Sequence, residues 1–308
     1  MADSNYDSNY ILEVKHLCQS FTSGRGKKKI TVHAVDDVSF GVRPAETFGL
    51  VGESGCGKTT TGRTIIRLYN PTSGEMYFNG RDIAGKMDKD LRKYLTDNIA
   101  MIFQDPIESL NPRMTIEEIV GEGLKIRGVT DPKEVRSRVV AMLRKVGLTE
   151  EHATRYPHEF SGGQRQRIGI ARAIITEPKL VIADEPVSAL DVSIQAQVIN
   201  LLNDLKEEMG LTILFIAHNL SVVKYFSDRI GVMYFGHLVE MASSNELFAH
   251  PLHGYTRALL SAIPMPDPHY EKRRRRIVYH APEYSPAEQE SLTLREVLPG
   301  HFVRCTEA

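Results

Sequence analysis

The chain has 308 residues, with 38 Lys and Arg against 39 Asp and Glu and a formal charge of -1. That balance gives no global preference for nucleic acid or an anionic membrane, so any anion site has to be local. Three cysteines, Cys18, Cys56 and Cys305, form neither a close-spaced metal pattern nor an evident disulfide framework, which suits a reducing cytosol and argues against structural zinc.

Residues 1–10 are polar, lack the basic and apolar segments of a secretory signal, and read as a loose start. No window supplies the roughly 18 successive apolar residues of a membrane span. Alternation over Leu12 to Leu17 and Val38 to Val42 predicts strands, Ser23 to Lys29 an exposed loop, and the apolar run Thr47 to Val51 a buried strand. A Gly-rich turn follows, then a helix from Lys58 to about Leu68, a strand over Glu75 to Phe78 and another over Asn98 to Phe103, with Gln104 at its edge.

From Asp105 to about Pro178 the pattern changes to three helices with little strand signal. Thr115 with Glu118, and Asp131 with Pro132 and Glu134, are helix-start combinations, and Val135, Val139, Met142 and Val146 share one helical face. Alternation then resumes with the strand Leu180 to Ala183, the helix through Ile194, Val198, Leu201, Leu205 and Met209, and the strand Leu211 to Ala217. The fold class is therefore α/β with a mainly helical insertion.

Gly52-Glu53-Ser54-Gly55-Cys56-Gly57-Lys58-Thr59 is a complete Walker A string between a predicted strand and helix. Glycines allow a tight turn whose N–H groups encircle phosphate oxygens, and the helix start adds open donors. Lys58 then neutralises β- and γ-phosphates, Thr59 offers its hydroxyl to Mg2+, and Thr60 completes the nucleotide-binding set. At the end of the run Leu180 to Ala183, Asp184 can hold Mg2+ through water and Glu185 can orient or deprotonate an attacking water. An isolated Asp-Glu pair is more often solvated surface or a helix cap; the strand and the phosphate loop reverse that preference.

Ser161-Gly162-Gly163-Gln164 has the form of a capping box, yet two glycines in a first turn cost helix propensity while leaving the amides open to an anion. Asp191 in Ser188-Ala189-Leu190-Asp191 is a sound N-cap for the helix after it. His218 follows an apolar strand; a lone histidine is otherwise surface or packed polar.

Taken in order, the Walker A string, Gln104, Phe160 to Gln164, Asp184-Glu185, Ser188 to Asp191 and His218 resemble the ATP-binding subunit of an ATP-binding-cassette (ABC) transporter, over about Leu12 to Pro266. The resemblance implies a P-loop nucleotide-binding domain with an antiparallel β region, a helical subdomain over 105–178, a body over 11–260 and a C-terminal extension over 261–308. It further implies that Lys58, Thr59, Asp184 and Glu185 serve this chain's own MgATP. Ser161, Gly162, Gly163 and Gln164 would face the ATP of a second, similar subunit, and Asp191 would communicate across that dimer. Gln104 becomes the sensor of metal and water, and His218 the switch beside the γ-phosphate. Phe21 would stack on adenine, although an ordinary core or edge aromatic fits almost as well.

Gln104-Asp105-Pro106, Ser109 to Arg113, Tyr156 to Phe160 and Pro251-Leu252-His253-Gly254-Tyr255-Thr256 are similar to the oligopeptide/dipeptide import branch. That branch implies a second, often nonidentical, ATPase subunit, two transmembrane permease subunits and an extracytoplasmic solute-binding protein, with this chain peripheral on the cytoplasmic face of the membrane. Nickel or another small solute is the alternative cargo. A soluble clamp on nucleic acid is the alternative role, against which the near-neutral charge weighs, and a chiefly regulatory ATP-binding subunit is a third. The chain beyond about Leu238 is expected to tune assembly, apart from the catalytic core and with no part in cargo chemistry, and Lys272 to Arg276 reads as a solvated basic run in preference to a partner-docking patch. Its lone Cys305 offers too few ligands for the iron-sulfur cluster of some relatives.

Overall fold

The computed structural model describes residues 6–24, 29–105, 109–263, 276–282, 285, 288 and 291–306. Two compact units result: residues 1–43, 47–85 and 215–308 make the first, and residues 44–46 and 86–214 the second.

The first unit opens with β1 (Leu12–Ser23), β2 (Ile30–Val42), β3 (Thr47–Val51), α1 (Lys58–Ile65), β4 (Ser73–Phe78) and β5 (Arg81–Asp82). An antiparallel sheet takes the order β2-β1-β4-β5. The first two strands are longer than their alternation suggests. Register shifts between Val14 and Leu17, where His16 has a φ of 50°, break the period without ending the strand. Helix α1 stops at Ile65, short of the expected Leu68, because Arg67 adopts a left-handed φ of 62° and its guanidinium is drawn to the carbonyls of Ile83 and Gly85.

The second unit contains α2 (Lys89–Asn98), β6 (Ile99–Ile102), α3 (Ile116–Ile126), α4 (Pro132–Lys145), α5 (Gly162–Ile174), β7 (Leu180–Asp184), α6 (Val192–Met209) and the start of β8 (Thr212–Ala217). Strands β6 and β7 pair in parallel. Every residue of β7 is buried, which explains a continuous apolar run instead of alternation. Helix α2, which the sequence reading leaves out, starts at Asp88, whose side chain accepts the Leu91 N–H at 2.7 Å. The expected starts hold: Thr115 and Glu118 form a reciprocal capping box and Asp131 accepts from the Lys133 N–H ahead of Pro132. Gly210, at φ 64°, closes α6.

The chain then adds to the first unit α7 (Leu220–Phe226), β9 (Arg229–Tyr234), β10 (His237–Ser243), α8 (Ser244–Ala249), α9 (Gly254–Ser261), β11 (Thr293–Leu298) and β12 (His301–Cys305). Strand β3 pairs in parallel with β9, β9 pairs antiparallel with β10, and β12 pairs antiparallel with both β10 and β11. The end of the chain is thus built into this sheet, not appended to it. Residues 264–275, including Pro264, Pro266, Pro268 and most of the basic run, lie outside the described residues.

The expected loose start also divides. Residues 1–5 lie outside the described residues, whereas the Asp7 N–H donates to Glu13 at 3.1 Å and the Tyr10 ring lies where a Cβ on Gly41 would stand, 2.5 Å away.

Candidate functional site

Residues Gly52 to Thr59 connect the buried strand β3 to α1. A Cβ on Gly52 would meet the Met233 carbonyl at 2.2 Å, and one on Gly57, at φ 107°, would meet the Ala34 carbonyl at the same distance. Neighbouring backbone therefore fixes glycine at both positions. Gly57 is the N-cap of α1 and offers no side-chain cap, so the first-turn N–H groups face the loop as anion donors. Glu53, Ser54 and Gly55 are exposed at the rim, and Thr59 and Thr60 are half-buried behind it.

Lys58 is 3% exposed. Its Nζ donates to the Gly52 carbonyl at 2.7 Å and the Glu53 carbonyl at 2.8 Å, with Cys56 Sγ at 3.7 Å. The ammonium is thereby held inside the loop it is expected to serve. Burial pushes the Cys56 thiol above its ordinary value, against the opposing pull of the Lys58 charge. His218, also in this unit, is exposed immediately after the buried β8, and the next residue, Asn219, caps α7 by accepting the Ser221 N–H at 2.9 Å.

In the second unit, β7 ends with Asp184 fully buried. Glu185 follows with a left-handed φ of 45°, and its carbonyl accepts from the backbone N–H and hydroxyl of Ser188 at 3.2 and 3.1 Å. This turn reverses the chain, and Gln104 Nε2, just past the end of β6, donates to Glu185 Oε2 at 3.4 Å. Side by side, β6 and β7 therefore bring together two residues separated by 81 positions.

Ser161 caps α5, accepting from the Gln164 N–H at 3.4 Å while Gln164 Oε1 accepts the Ser161 N–H at 3.0 Å. The capping-box reading is correct, and Ser161 and Gly162 remain exposed. Asp191 stands at the N-cap of α6, but its side chain makes no cap bond; only its carbonyl takes part, accepting the Gln195 N–H at 2.8 Å. Phe21 lies near the end of β1 with its ring edge-on to Tyr69, centroids 5.1 Å apart, and is 40% exposed.

Two contacts escape the sequence reading. Arg172 of α5 donates to the Ser109 carbonyl and lies 5.8 Å from the Phe103 ring, so it ties Ser109 to the helix that Ser161 begins. Tyr255 of α9 accepts the Glu53 N–H on its hydroxyl at 3.1 Å. That second contact corrects the expectation that the chain beyond about Leu238 stands apart from the phosphate loop. The signal was the Gly254-Tyr255-Thr256 string, which carries no chemistry until the fold brings it to Glu53.

A family profile described as ABC transporter matches residues 35–188, and one described as oligopeptide/dipeptide transporter, C-terminal region, matches residues 239–289. The oligopeptide transport ATP-binding protein OppF of Bacillus subtilis (strain 168) is 58% identical over 299 residues, covering 97% of each chain. The dipeptide transport ATP-binding protein DppF of Lactococcus lactis subsp. cremoris (strain MG1363) is 53% identical over 302 residues, covering 97% of this chain and 95% of its own. A dimeric post-hydrolysis structure of the ATP-binding cassette MJ0796 bound to ADP and Pi has a TM-score of 0.68 at 30% identity, covering 76% of this chain and 98% of that one. The structure of cbiO1 from Clostridium perfringens, part of the ABC transporter complex cbiONQ, has a TM-score of 0.69 at 27% identity, covering 79% and 92%. With the phosphate loop, the acidic strand end and the capped Ser-Gly-Gly-Gln helix all in place, the chain belongs to the ABC transporter family, as an ATP-hydrolysing subunit of its oligopeptide/dipeptide branch.

Proposed function

We propose that the chain powers import of di- and oligopeptides by hydrolysing MgATP, as one of two ATPase subunits docked on two permease subunits that an extracytoplasmic solute-binding protein supplies. It works at the cytoplasmic face of the membrane through those partners; among the described residues no helix is long and apolar enough to cross a membrane. The names of the OppF and DppF relatives support peptides over nickel as cargo. The dimeric cassette MJ0796 supports the paired arrangement.

The observation that carries the catalytic reading is the hydrogen bond from Gln104 to Glu185 at 3.4 Å, formed directly after the buried Asp184. A carboxylate on a rigid turn, oriented by an amide, is suited to taking a proton from water held against a phosphoryl group. Lys58 stabilises charge on the transferring oxygens, the open N–H groups of residues 52–59 cradle the phosphates, and His218 holds the geometry.

Thr59, Gln104 and Asp184 would each offer oxygen, the donor type that a hard divalent cation keeping part of its water shell takes. Mg2+ held by them with the nucleotide would neutralise phosphate charge. Ser161, Gly162, Gly163 and Gln164 are presented to the partner's γ-phosphate, and Asp191 lies beside that dimer contact.

Glu185→Gln tests this reading. In the assembled complex it should retain nucleotide binding and lose MgATP turnover by at least about a hundredfold, the lower range of general acid-base contributions. Turnover equal to that of the parent complex would remove Glu185 from the reaction and favour a regulatory role for the chain.

A further inference from the structure

Tyr255 of α9 reaches the backbone of the phosphate loop. Its hydroxyl accepts the N–H of Glu53, and that N–H belongs to the peptide unit whose carbonyl oxygen is Gly52 O. Gly52 O in turn accepts from Lys58 Nζ at 2.7 Å. A peptide unit is planar, so anchoring its N–H fixes the direction of its C=O. Tyr255 therefore sets the position of the carbonyl that holds the Lys58 ammonium.

Tyr255 is itself firmly placed. Its ring is 2% exposed and lies 4.4 Å from the Tyr234 ring and 5.7 Å from the Tyr279 ring, centroid to centroid. Burial pushes the pKa of its hydroxyl up, so it remains a neutral phenol at physiological pH. The start of α9 is fixed by Glu240 of β10: Oε1 accepts the Leu252 N–H at 2.7 Å and Oε2 accepts the His253 N–H at 3.0 Å. His301, the first residue of β12, faces Glu240 Oε1 through Nε2 at 2.7 Å. Both side chains are fully buried, where a carboxylate needs its full set of donors.

We infer that Tyr255 is a positioning residue for Lys58, and that His301 and Glu240 extend its support to the C-terminal hairpin, making β11 and β12 part of the nucleotide-binding apparatus. The inference rests on the reading that the Lys58 loop holds nucleotide. The sheet could have been closed at β10 with no contact to the loop; instead the chain returns through α9 and β12, and each of these elements contributes a buried polar group to one connected set. Loss of any member loosens the Gly52–Glu53 peptide without touching phosphate directly.

The test uses the full-length chain, MgADP titrated by calorimetry, and amide hydrogen exchange at Glu53. Tyr255→Phe keeps the ring and removes the hydroxyl; it should weaken MgADP binding about three- to tenfold, the span of one net hydrogen bond, and speed exchange at the Glu53 amide. Tyr234→Phe, in the same aromatic cluster, should do neither. His301→Leu should weaken binding in the parent background and cause no further loss in the Tyr255→Phe background, the non-additivity of residues acting through one contact. The inference is overturned by parental MgADP affinity in Tyr255→Phe, by unchanged Glu53 exchange, or by an equal His301→Leu loss in both backgrounds. Should His301→Leu fail to fold, the Tyr255→Phe exchange and affinity decide alone. A parent chain that did not bind MgADP would instead sink the nucleotide reading, with Glu53 exchange still deciding the Tyr255 contact.

Discussion

Tyr255 and Lys58 hold opposite ends of the same peptide unit: the Tyr255 hydroxyl accepts the Glu53 N–H at 3.1 Å, and the Lys58 ammonium donates to the Gly52 carbonyl at 2.7 Å. One residue lies inside the phosphate loop and the other some two hundred positions later, at a separation of 202 from Glu53. A loop that must carry several exposed N–H groups at fixed angles cannot be held by its glycines alone, since glycine supplies freedom and no anchor. The anchors come from the buried Lys58 within and from α9 without.

The two glycines that follow Ser161 should separate under substitution. A Cβ on Gly163 would stand 2.6 Å from Ile194 Cγ2, whereas one on Gly162 meets Leu190 Cδ2 at an ordinary 3.7 Å. Gly163→Ala should therefore destabilise the isolated chain by about 1–3 kcal/mol, the usual cost of overpacking. Gly162→Ala should melt close to the parent temperature and lose MgATP turnover in the assembled complex, where its added methyl would face the partner's nucleotide. Denaturant unfolding of both variants and turnover of the Gly162 variant check the pair; equal stability losses would contradict it.

The start of α3 gives a pH-dependent prediction. Backbone and side-chain hydrogen bonds from Thr115, at 2.8 and 3.0 Å, hold the Glu118 carboxyl below its ordinary value, with a smaller contribution from Lys125. A depressed folded value means that the contribution is present above the unfolded value, about 4.3, and is lost as pH falls through the folded one. Thr115→Ala should return the Glu118 titration midpoint toward the ordinary value, read by NMR, and should cost about 0.5–2 kcal/mol at neutral pH through loss of the cap. An unchanged Glu118 midpoint in that variant would contradict the assignment.

Arg172 should hold the chain at Ser109. Its guanidinium is largely buried, which lowers its pKa, and it donates to the Ser109 carbonyl beside the Phe103 ring. Replacing it with Ala removes a hydrogen bond from a charged donor, for which about 1.5–3 kcal/mol is typical. Limited proteolysis between Gln104 and Arg113 should accelerate in Arg172→Ala, with cleavage elsewhere unchanged. Uniform acceleration along the chain would instead indicate general destabilisation.

Where a residue's role is set by its immediate neighbours in sequence, the sequence alone determined it. The Ser161 capping box and the Thr115 start are a few consecutive residues whose hydrogen bonds close within a turn, and the phosphate loop and the Asp184-Glu185 strand end are short strings recognisable before their distant partners are known. Their backbone preferences are therefore local, and so is the burial signal of the strands that carry them. Even the family was legible from such strings read in order.

Other features depended on which distant segments the sheets bring side by side. Gln104 meets Glu185 because β6 and β7 are parallel neighbours, and Asp191 keeps its cap position without its side-chain bond. Arg67 ends α1 early because carbonyls of Ile83 and Gly85 draw in its side chain. Above all, the last segment reads as an appendage, since His301, Glu240 and Tyr255 each look like ordinary polar or aromatic residues in their own contexts. The pairing of β12 with β10 brings His301 to Glu240, and Glu240 accepts the N–H groups at the start of the helix whose Tyr255 meets the phosphate loop. Such contacts are energies of burial and proximity between distant segments, quantities no local pattern encodes.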